Sequence, residues 1–322
     1  MPCAQRSIYP RTGSRRSSCC SAIPTRAQSC PPARRLRSTV SCSSADVPHT
    51  YTNGVVTFYE DAGEGPVVVL IHGYGADLRL WDGQVSPLRE AGFRVIRYDV
   101  RGHGRSMIAP DGYTFENYAA DLRDLLDRLN VERPATESLG VEAVHAMGLS
   151  MGGGIALQFA LDYPERVLSL TLVDSALPGF TYSDETTTHI QNFMQAVRSD
   201  GARQAIDRVW LEHPFFDGVR RDPEGFASVR DILLDFQAPD MRDGARPADY
   251  HPDIAGRLRE IRAPTLVVVG EDDIEDFRLI ADVLAENIAD ARLELIADCW
   301  HLPPVEKPGE FNAMLVSFLR GT

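Results

Sequence analysis

The run Gly148–Leu149–Ser150–Met151–Gly152 constrains the fold of this chain more than any other stretch. It follows the apolar run Val144–Met147 and opens onto a segment with helical character that extends to about Leu161. A G-x-S-x-G sequence between a strand and a helix predicts a turn so sharp that its serine has strained backbone geometry, and a Cβ at either glycine would clash. We therefore expect the Ser150 hydroxyl to stand exposed above the carboxyl end of a strand.

Short apolar runs alternate with helical patterns on both sides of this turn. The alternation predicts an α/β fold with a mostly parallel central sheet, flanked by helices on both faces. Ligands of such sheets bind outside the carboxyl ends of the strands, which is where Ser150 lies. The runs typical of strands are Val55–Tyr59, Val67–Ile71, Phe93–Tyr98, Val167–Val173, Thr265–Val269 and Arg292–Ile296.

Between two of these strands, residues 177–257 show a different pattern. They contain no run typical of a buried strand, and they carry nine Phe, Tyr and Trp residues among many charges. Their position after one core strand and before the next predicts a helical cap inserted in a single domain that spans residues 46–322. Aromatic residues in a small cap usually form its own core, so none of them is assigned to substrate binding.

Residues 1–45 differ in composition from the rest of the chain. They contain eight arginines, no Asp or Glu, and five of the six cysteines, without helical or strand periodicity. Such a segment cannot bury enough apolar surface to offset its ordering entropy, so we expect a disordered N-terminal extension. Its Arg-rich, acid-poor composition fits an organellar transit peptide. The alternative is a start site assigned too far upstream, in which case a cytoplasmic protein is expected.

The charge and the cysteine content exclude several classes of protein. Without the eight N-terminal arginines, 25 basic residues face 46 acidic ones, a net charge of −21. This balance disfavours nucleic acid and anionic membranes as partners. The sequence contains no run of 18 apolar residues, so we expect no membrane span. Cys299 is the only cysteine after residue 45, so no disulfide framework is expected. The expected partner is a small molecule, and the oligomeric state stays open.

A serine hydroxyl becomes a nucleophile only with a base in hydrogen-bond reach and an acid that orients this base. In chains with this turn, the order along the sequence is Ser, then Asp or Glu, then His. His301 follows the last predicted strand and is the expected base, whereas His103, between two glycines, is expected to be structural. Two aspartates that follow predicted strands can orient His301, namely Asp174 and Asp273. The N–H of Met151, at the start of the following helix, is expected to point towards a developing oxyanion.

Five stretches together resemble the α/β-hydrolase superfamily over nearly the whole chain from about Tyr51. The runs Asp77–Asp82 and Arg97–Gly104 look most like those of 3-oxoadipate enol-lactonases and related small esterases. Superfamily members with an Asp nucleophile, such as haloalkane dehalogenases and epoxide hydrolases, are disfavoured by Ser150. The five stretches are His72–Gly75, Asp99–Ser106, Gly148–Gly153, Gly270–Asp273 and His301–Pro303.

The resemblance also assigns roles to residues. It selects Asp273 as the orienting acid, because the acid of the family pattern is the fourth residue from the glycine, here Gly270. It implies that the N–H of Tyr74 is the second donor to the oxyanion. One departure from the family is the pair Cys299–Trp300 before His301, where relatives usually carry small residues, and Trp300 is expected to narrow the site.

These assignments predict a serine hydrolase of carboxylic esters or lactones. Ser150 attacks the carbonyl carbon, His301 takes and returns the proton, and Asp273 orients His301. The pattern implies neither a metal nor a cofactor. A C–C bond hydrolase and a cofactor-free perhydrolase use the same machinery and remain alternatives, and a non-catalytic small-molecule receptor on this fold is the alternative from another class.

Overall fold

A computed structural model describes residues 48–131, 143–241 and 254–322. The predicted extension over residues 1–45 lies outside them. The described chain is organised around one eight-stranded sheet with the strand order β1-β2-β4-β3-β5-β6-β7-β8. The strands are β1 (His49–Thr52), β2 (Val55–Ala62), β3 (Val67–Ile71), β4 (Arg94–Tyr98), β5 (Val144–Leu149), β6 (Val167–Val173), β7 (Thr265–Gly270) and β8 (Ala291–Ile296).

The predicted mostly parallel sheet is confirmed. Strands β4, β3, β5, β6, β7 and β8 are parallel, and β1 and β2 add two antiparallel pairings at one edge. Strand β3 is buried at every position: Val68 and Leu70 belong to one apolar cluster, Val69 and Ile71 to another. Successive side chains of a strand point to opposite faces, so the sheet has a core on each face. Burying a side chain of this size stabilises by about 1.5–3 kcal/mol.

Helices cover both faces of the sheet. Helices α2, α3 and α7 contribute to one apolar cluster, and α1 and α9 to the other. None of the described helices is long and apolar enough to cross a membrane. The helices are α1 (Asp82–Glu90), α2 (Phe115–Val131), α3 (Met151–Asp162), α4 (Asp184–Asp200), α5 (Ala202–Arg208), α6 (Pro223–Leu234), α7 (Glu275–Asn287), α8 (Pro303–Glu306) and α9 (Pro308–Leu319).

Helices α4, α5 and α6, with several short 3-10 helices, lie between β6 and β7 in the chain. This is the segment in which the sequence predicts a helical cap, although residues 242–253 lie outside the described residues. Side-chain oxygens start two of its helices: Ser183 Oγ accepts from the Thr186 N–H, and the Asp222 carboxylate from the Glu224 N–H. Phe193 is fully buried in this segment.

Two local features differ from simple periodicity. The helix expected from Leu78 to Glu90 starts as a 3-10 turn over Leu78–Trp81 before α1 begins. Helix α1 contains Pro87. Proline has no N–H, so it cannot donate a helical hydrogen bond to the carbonyl four residues earlier. That carbonyl, Gly83 O, accepts instead from Asn312 Nδ2 at 3.0 Å, which ties α1 to α9.

Candidate active site

Ser150 lies between β5 and α3 in the strained geometry that the sequence predicts. Its φ is 53° and its ψ is −117°. A Cβ at Gly148 would lie 2.1 Å from Gly152 O, and one at Gly152 would lie 2.1 Å from Ile71 O. Only glycine fits such contacts, so the sequence of the turn follows from the close approach of α3 to β5 and β3.

The turn after β3 is held by His72. This side chain is fully buried, and its Nδ1 donates to Gly73 O at 2.8 Å while its Nε2 accepts from the Val100 N–H at 2.9 Å. Burial lowers the pKa of His72, which favours the neutral ring that this bonding pattern needs. His72 thus connects the turn that contains Tyr74 to the loop after β4.

The two expected oxyanion donors border one cavity. Tyr74 and Met151 both line it, together with Ser150. Within the described part of the chain, no protein acceptor is bonded to the backbone N–H of either residue. Both groups are therefore uncommitted, and Met151 is the first residue of α3, where the helix dipole favours negative charge.

The side chain of Tyr74 has a role that the sequence does not reveal. Its hydroxyl donates to Asp240 Oδ1 at 3.0 Å and joins the turn after β3 to the segment between β6 and β7. Burial, followed by the charge of Asp240, raises the pKa of Tyr74 well above its usual value. The phenol therefore stays protonated and keeps this bond.

Asp273 and His301 meet at the carboxyl ends of β7 and β8. His301 Nδ1 donates to Asp273 Oδ2 at 2.7 Å, and Asp273 Oδ1 accepts from the Ile274 N–H at 2.8 Å. The imidazole lies between two phenyl rings: Phe215 stacks on it at 3.9 Å between centroids, and Phe277 meets it edge-on at 4.5 Å. The ring plane and the tautomer of His301 are thereby determined, with the proton on Nδ1.

The other ring nitrogen of His301 is available. Nε2 is buried and has no hydrogen-bond partner among the described residues, and His301 lines the same cavity as Ser150. The Ser150 hydroxyl and the expected base thus line one cavity, and no hydrogen bond joins them in the described part of the chain. Catalytic hydrogen bonds of this kind are often long before substrate binds and shorten in the complex.

Glu306 holds the loop that carries His301. Its two carboxylate oxygens accept from the N–H groups of Trp300 and Leu302, on either side of His301, both at 2.9 Å. Sequence reasoning missed this residue. The signal was an acid in the first turn of α8, after Pro303 and Pro304, five residues beyond the histidine.

The expectation that Trp300 narrows the site is wrong. Trp300 is absent from the described lining of the cavity. Its N–H is bonded to Glu306, and its ring packs against the Arg221 guanidinium at 4.1 Å. The Trp300 side chain therefore packs against Arg221, and its neighbours His301 and Leu302 line the cavity.

The cavity has a volume of about 410 Å³. Its described lining is almost entirely apolar and contains no Lys, Arg, Asp or Glu side chain. Two histidines of the segment between β6 and β7, His189 and His213, add polar atoms, with ring centroids 4.2 Å apart. Burial lowers the pKa of His189 and lowers that of His213 to about 3, so both rings are neutral at neutral pH.

Arginines are frequent in the same segment, but none of them is among the described residues that line the cavity. Arg198 donates to Met241 O and Arg203 to Leu234 O. Arg220 pairs with Asp217, and Arg221 with Asp298. Their positive charge is therefore not directed towards Ser150.

Asp174, Asp273 and His301 form a buried cluster in which one carboxylate or imidazole atom of each lies within 4.8 Å of the other two. Such a group has the ligand types of a metal site. His301 Nδ1 and Asp273 Oδ2 are already bonded to each other, so a metal at this nitrogen would have to replace that bond. The geometry is that of a base held by its acid, and we assign no metal to it.

His103 lies apart from the cavity lining and is structural, in the position that the sequence predicts for it. Its Nδ1 donates to Arg101 O at 3.1 Å, and its ring stacks on Phe236 at 4.5 Å. Burial, reinforced by the nearby His72, lowers the pKa of His103 to about 3. The ring therefore stays neutral in the folded protein while it titrates near pH 6.5 in the unfolded chain.

This difference predicts acid sensitivity. Because the folded-state pKa is the lower one, the stabilisation is complete above about pH 6.5 and is lost as the pH falls towards about 3. At about pH 5 the free energy of unfolding should be about 2 kcal/mol lower on account of His103. We expect His103→Gln to reduce the difference in unfolding free energy between about pH 7.5 and about pH 5, measured by urea denaturation. An identical pH dependence in the variant would contradict this account.

Comparison with known proteins places these observations in a family. The model of the α/β-hydrolase fold family matches residues 66–308. The chain is 31% identical to a 2-hydroxy-6-oxononadienedioate/2-hydroxy-6-oxononatrienedioate hydrolase of Paraburkholderia xenovorans, over 81% of this chain and 89% of that protein.

Two solved structures are similar over most of their length. The enol-lactonase of Burkholderia xenovorans LB400 is 28% identical with a TM-score of 0.72, over 85% of this chain and all of that one. A thermophilic esterase of Thermogutta terrifontis is also 28% identical, with a TM-score of 0.71, over 85% of this chain and 97% of that one.

Proposed function

This chain belongs to the α/β-hydrolase family, and we propose from that premise that it is a serine hydrolase of carboxylic esters or lactones. Ser150 is the nucleophile, His301 the general base and Asp273 the residue that orients His301. The backbone N–H groups of Tyr74 and Met151 hold the oxyanion.

The reaction proceeds in two halves. The Ser150 oxygen bonds to the carbonyl carbon as its proton passes to His301 Nε2, and the carbonyl oxygen takes up the negative charge between the two N–H groups. His301 then returns the proton to the leaving alkoxide, and the C–O bond of the ester breaks. A water molecule attacks the acyl-enzyme in the same way, with His301 as base, and releases the acid and Ser150.

One observation carries this proposal. His301 has Nδ1 bonded to Asp273, its Nε2 has no partner among the residues that the structure describes, and it lines the same cavity as Ser150. The Nε2 atoms of His103 and His189 also lack a partner, but among the described histidines only His301 has its Nδ1 bonded to a carboxylate. Acyl transfer requires a free Nε2, a free serine hydroxyl and two free backbone donors at one cavity, and the described residues supply all of them.

The lining of the cavity favours uncharged substrates. A carboxylate on the acyl group would lose its hydration in an apolar cavity, and the described lining offers it no cationic side chain. Burying an unpaired charge costs several kcal/mol. We therefore propose neutral, largely apolar esters or lactones as substrates.

A matched pair of esters tests this preference. p-Nitrophenyl butyrate and the p-nitrophenyl monoester of succinic acid have acyl chains of equal length and differ by a terminal carboxylate. We expect kcat/KM for the succinate ester to be at least about 100-fold lower, the effect of a few kcal/mol on transition-state binding. Release of p-nitrophenol measures both. Equal or better turnover of the carboxylated ester would contradict the proposed substrate class.

The relatives favour a second candidate. The Paraburkholderia relative is named for a dioate that carries carboxylates and no ester, so a hydrolase acting on it must break a carbon–carbon bond. The same triad supports this chemistry. Turnover of a 2-hydroxy-6-oxo-dienoate with no turnover of neutral esters would establish this candidate instead.

Two further alternatives, a perhydrolase and a non-catalytic receptor, can be distinguished from an esterase by experiment. A perhydrolase would pass its acyl group to hydrogen peroxide, so peracid would accumulate when peroxide is added to an ester assay. A non-catalytic receptor would show no steady turnover of p-nitrophenyl acetate above background. Turnover that continues well beyond one equivalent per chain and is lost in Ser150→Ala would exclude the receptor.

A further inference from the structure

Asp174 is a buried acid that the proposed mechanism does not use. It follows β6 directly, has a φ of 39°, and its side chain is completely buried. Its Oδ1 accepts from the Gly270 N–H at 3.0 Å, which connects the ends of β6 and β7. Among the described residues, no donor is bonded to its Oδ2. An ionised carboxylate can only accept hydrogen bonds, so Oδ2 of an ionised Asp174 would be unsatisfied.

Asp174 lies next to the proposed catalytic pair. One polar side-chain atom each of Asp174, Asp273 and His301 lies within 4.8 Å of the other two. Asp273 is already bonded at both oxygens, to the Ile274 N–H and to His301 Nδ1. Each carboxylate oxygen can accept a second hydrogen bond, so Asp273 still has room for a donor.

Two carboxylates in buried contact cannot both be ionised without a large cost, and one of them takes a proton. The groups that face Asp174 are Asp273, Glu306, Cys299 and His301, and none of these is a permanent cation. Burial, then the charge of Asp273, then a hydrogen bond to Asp273, raises the pKa of Asp174 well above its usual value. Asp273 contacts the histidine and is therefore the ionised member.

We propose that Asp174 is a positioning residue that stays protonated and donates its carboxylic-acid hydrogen to Asp273. This inference rests on the proposed function, since it gives the proposed triad a fourth member. The donated bond fixes the Asp273 carboxylate against rotation, so that Oδ2 stays directed at His301 Nδ1. It also spreads the charge of Asp273, and no proton leaves Asp174 during the reaction.

Asp174→Asn and Asp174→Leu form a matched test of this role. The asparagine amide keeps both polar contacts: its oxygen can accept from the Gly270 N–H and its NH2 can donate to Asp273. Leucine has a similar volume and can do neither. We expect Asp174→Leu to lower kcat for p-nitrophenyl acetate roughly 10- to 100-fold, the effect of one charge-assisted hydrogen bond. We expect Asp174→Asn to restore kcat to within about threefold of wild type.

The pH profile separates a neutral Asp174 from an ionised one. If Asp174 is neutral, asparagine changes no charge, and the acid limb of the kcat/KM profile stays in place. If Asp174 is ionised, asparagine removes a negative charge beside His301, and the acid limb moves to lower pH by about one unit. Such a shift, or a loss in Asp174→Asn as large as in Asp174→Leu, would overturn the proposal.

Infrared spectroscopy provides a readout that does not depend on activity. At neutral pH, the difference spectrum of wild type minus Asp174→Asn should contain the carbonyl stretch of a protonated carboxylic acid. Only ionised-carboxylate bands in this difference would overturn the inference even if Asp174→Leu fails to fold. Conversely, an inactive wild type with the acid band would leave the protonated Asp174 established and count against the proposed function alone.

Discussion

Replacing Ser150 with alanine is expected to lower kcat for a neutral p-nitrophenyl ester by a factor on the order of 10⁶. The substitution removes the oxygen that forms the acyl-enzyme, and the remaining groups can only assist direct attack by water. An organophosphonate should label the wild-type protein once per chain, and peptide mass spectrometry should locate the label on Ser150. The alanine variant should not be labelled.

The neighbouring serine Ser175 is a matched control. Its hydroxyl donates to Ala176 O at 2.9 Å, and its side chain lies against α3 at Gly153. Ser175→Ala therefore removes an equivalent hydroxyl near the same turn without touching the proposed nucleophile. We expect it to keep phosphonate labelling and turnover. An active Ser150→Ala variant, or a label on another residue, would remove Ser150 from the mechanism.

The parts of this site that the sequence predicts are those determined by local rules. The turn around Ser150 needs glycine at two positions because a Cβ at Gly148 or Gly152 would overlap backbone atoms. This constraint involves only the five consecutive residues Gly148–Gly152, so it can be recognised in the sequence. The position of His301 after a strand could be read in the same way, because strands are recognised by their own composition and end at turn residues.

The contacts that the sequence could not predict join segments that are distant in the chain. Tyr74 and Asp240 are 166 residues apart, and no local pattern marks the phenol as an anchor. Phe215 lies in a segment rich in aromatic residues, but nothing in its sequence neighbourhood indicates that its ring stacks on His301. Such pairs depend on how the helices between β6 and β7 pack on the sheet.

Strand β1 shows the same limit at the edge of the sheet. Its four residues contain only two buried side chains, Thr50 and Thr52. A buried threonine carries no clear apolar signal, so alternation could not be recognised over so short a run. Pairing with β2 creates the strand, helped by the bond between the Thr52 and Thr57 hydroxyls at 2.6 Å.

The residues alone do not decide whether Asp174 or Asp273 orients His301, because each aspartate follows a core strand. The structure separates them by contact: His301 Nδ1 is bonded to Asp273 Oδ2, whereas the bond of Asp174 goes to the Gly270 N–H. That contact makes Asp273 our choice for the orienting acid.

Replacing Asp273 with asparagine is expected to lower kcat by roughly 10⁴, the effect measured for the same change in another Ser-His-Asp enzyme. The amide can present its NH2 group to His301, which would then carry its proton on Nε2 and could not accept one from Ser150. The loss should appear in kcat at an unchanged melting temperature, because asparagine has the volume of aspartate and its oxygen can still accept from the Ile274 N–H.

Asp174→Asn is the control for this change, because it makes the same substitution one carboxyl group further from His301. Its kcat should stay within about threefold of wild type, and the phosphonate should still label Ser150 in it. If Asp273→Asn folds normally but is labelled slowly, Ser150 is no longer activated by His301 although its surroundings are intact. The reverse pattern, with the large loss in Asp174→Asn, would make Asp174 the third member of the triad and reduce Asp273 to a structural neighbour of His301.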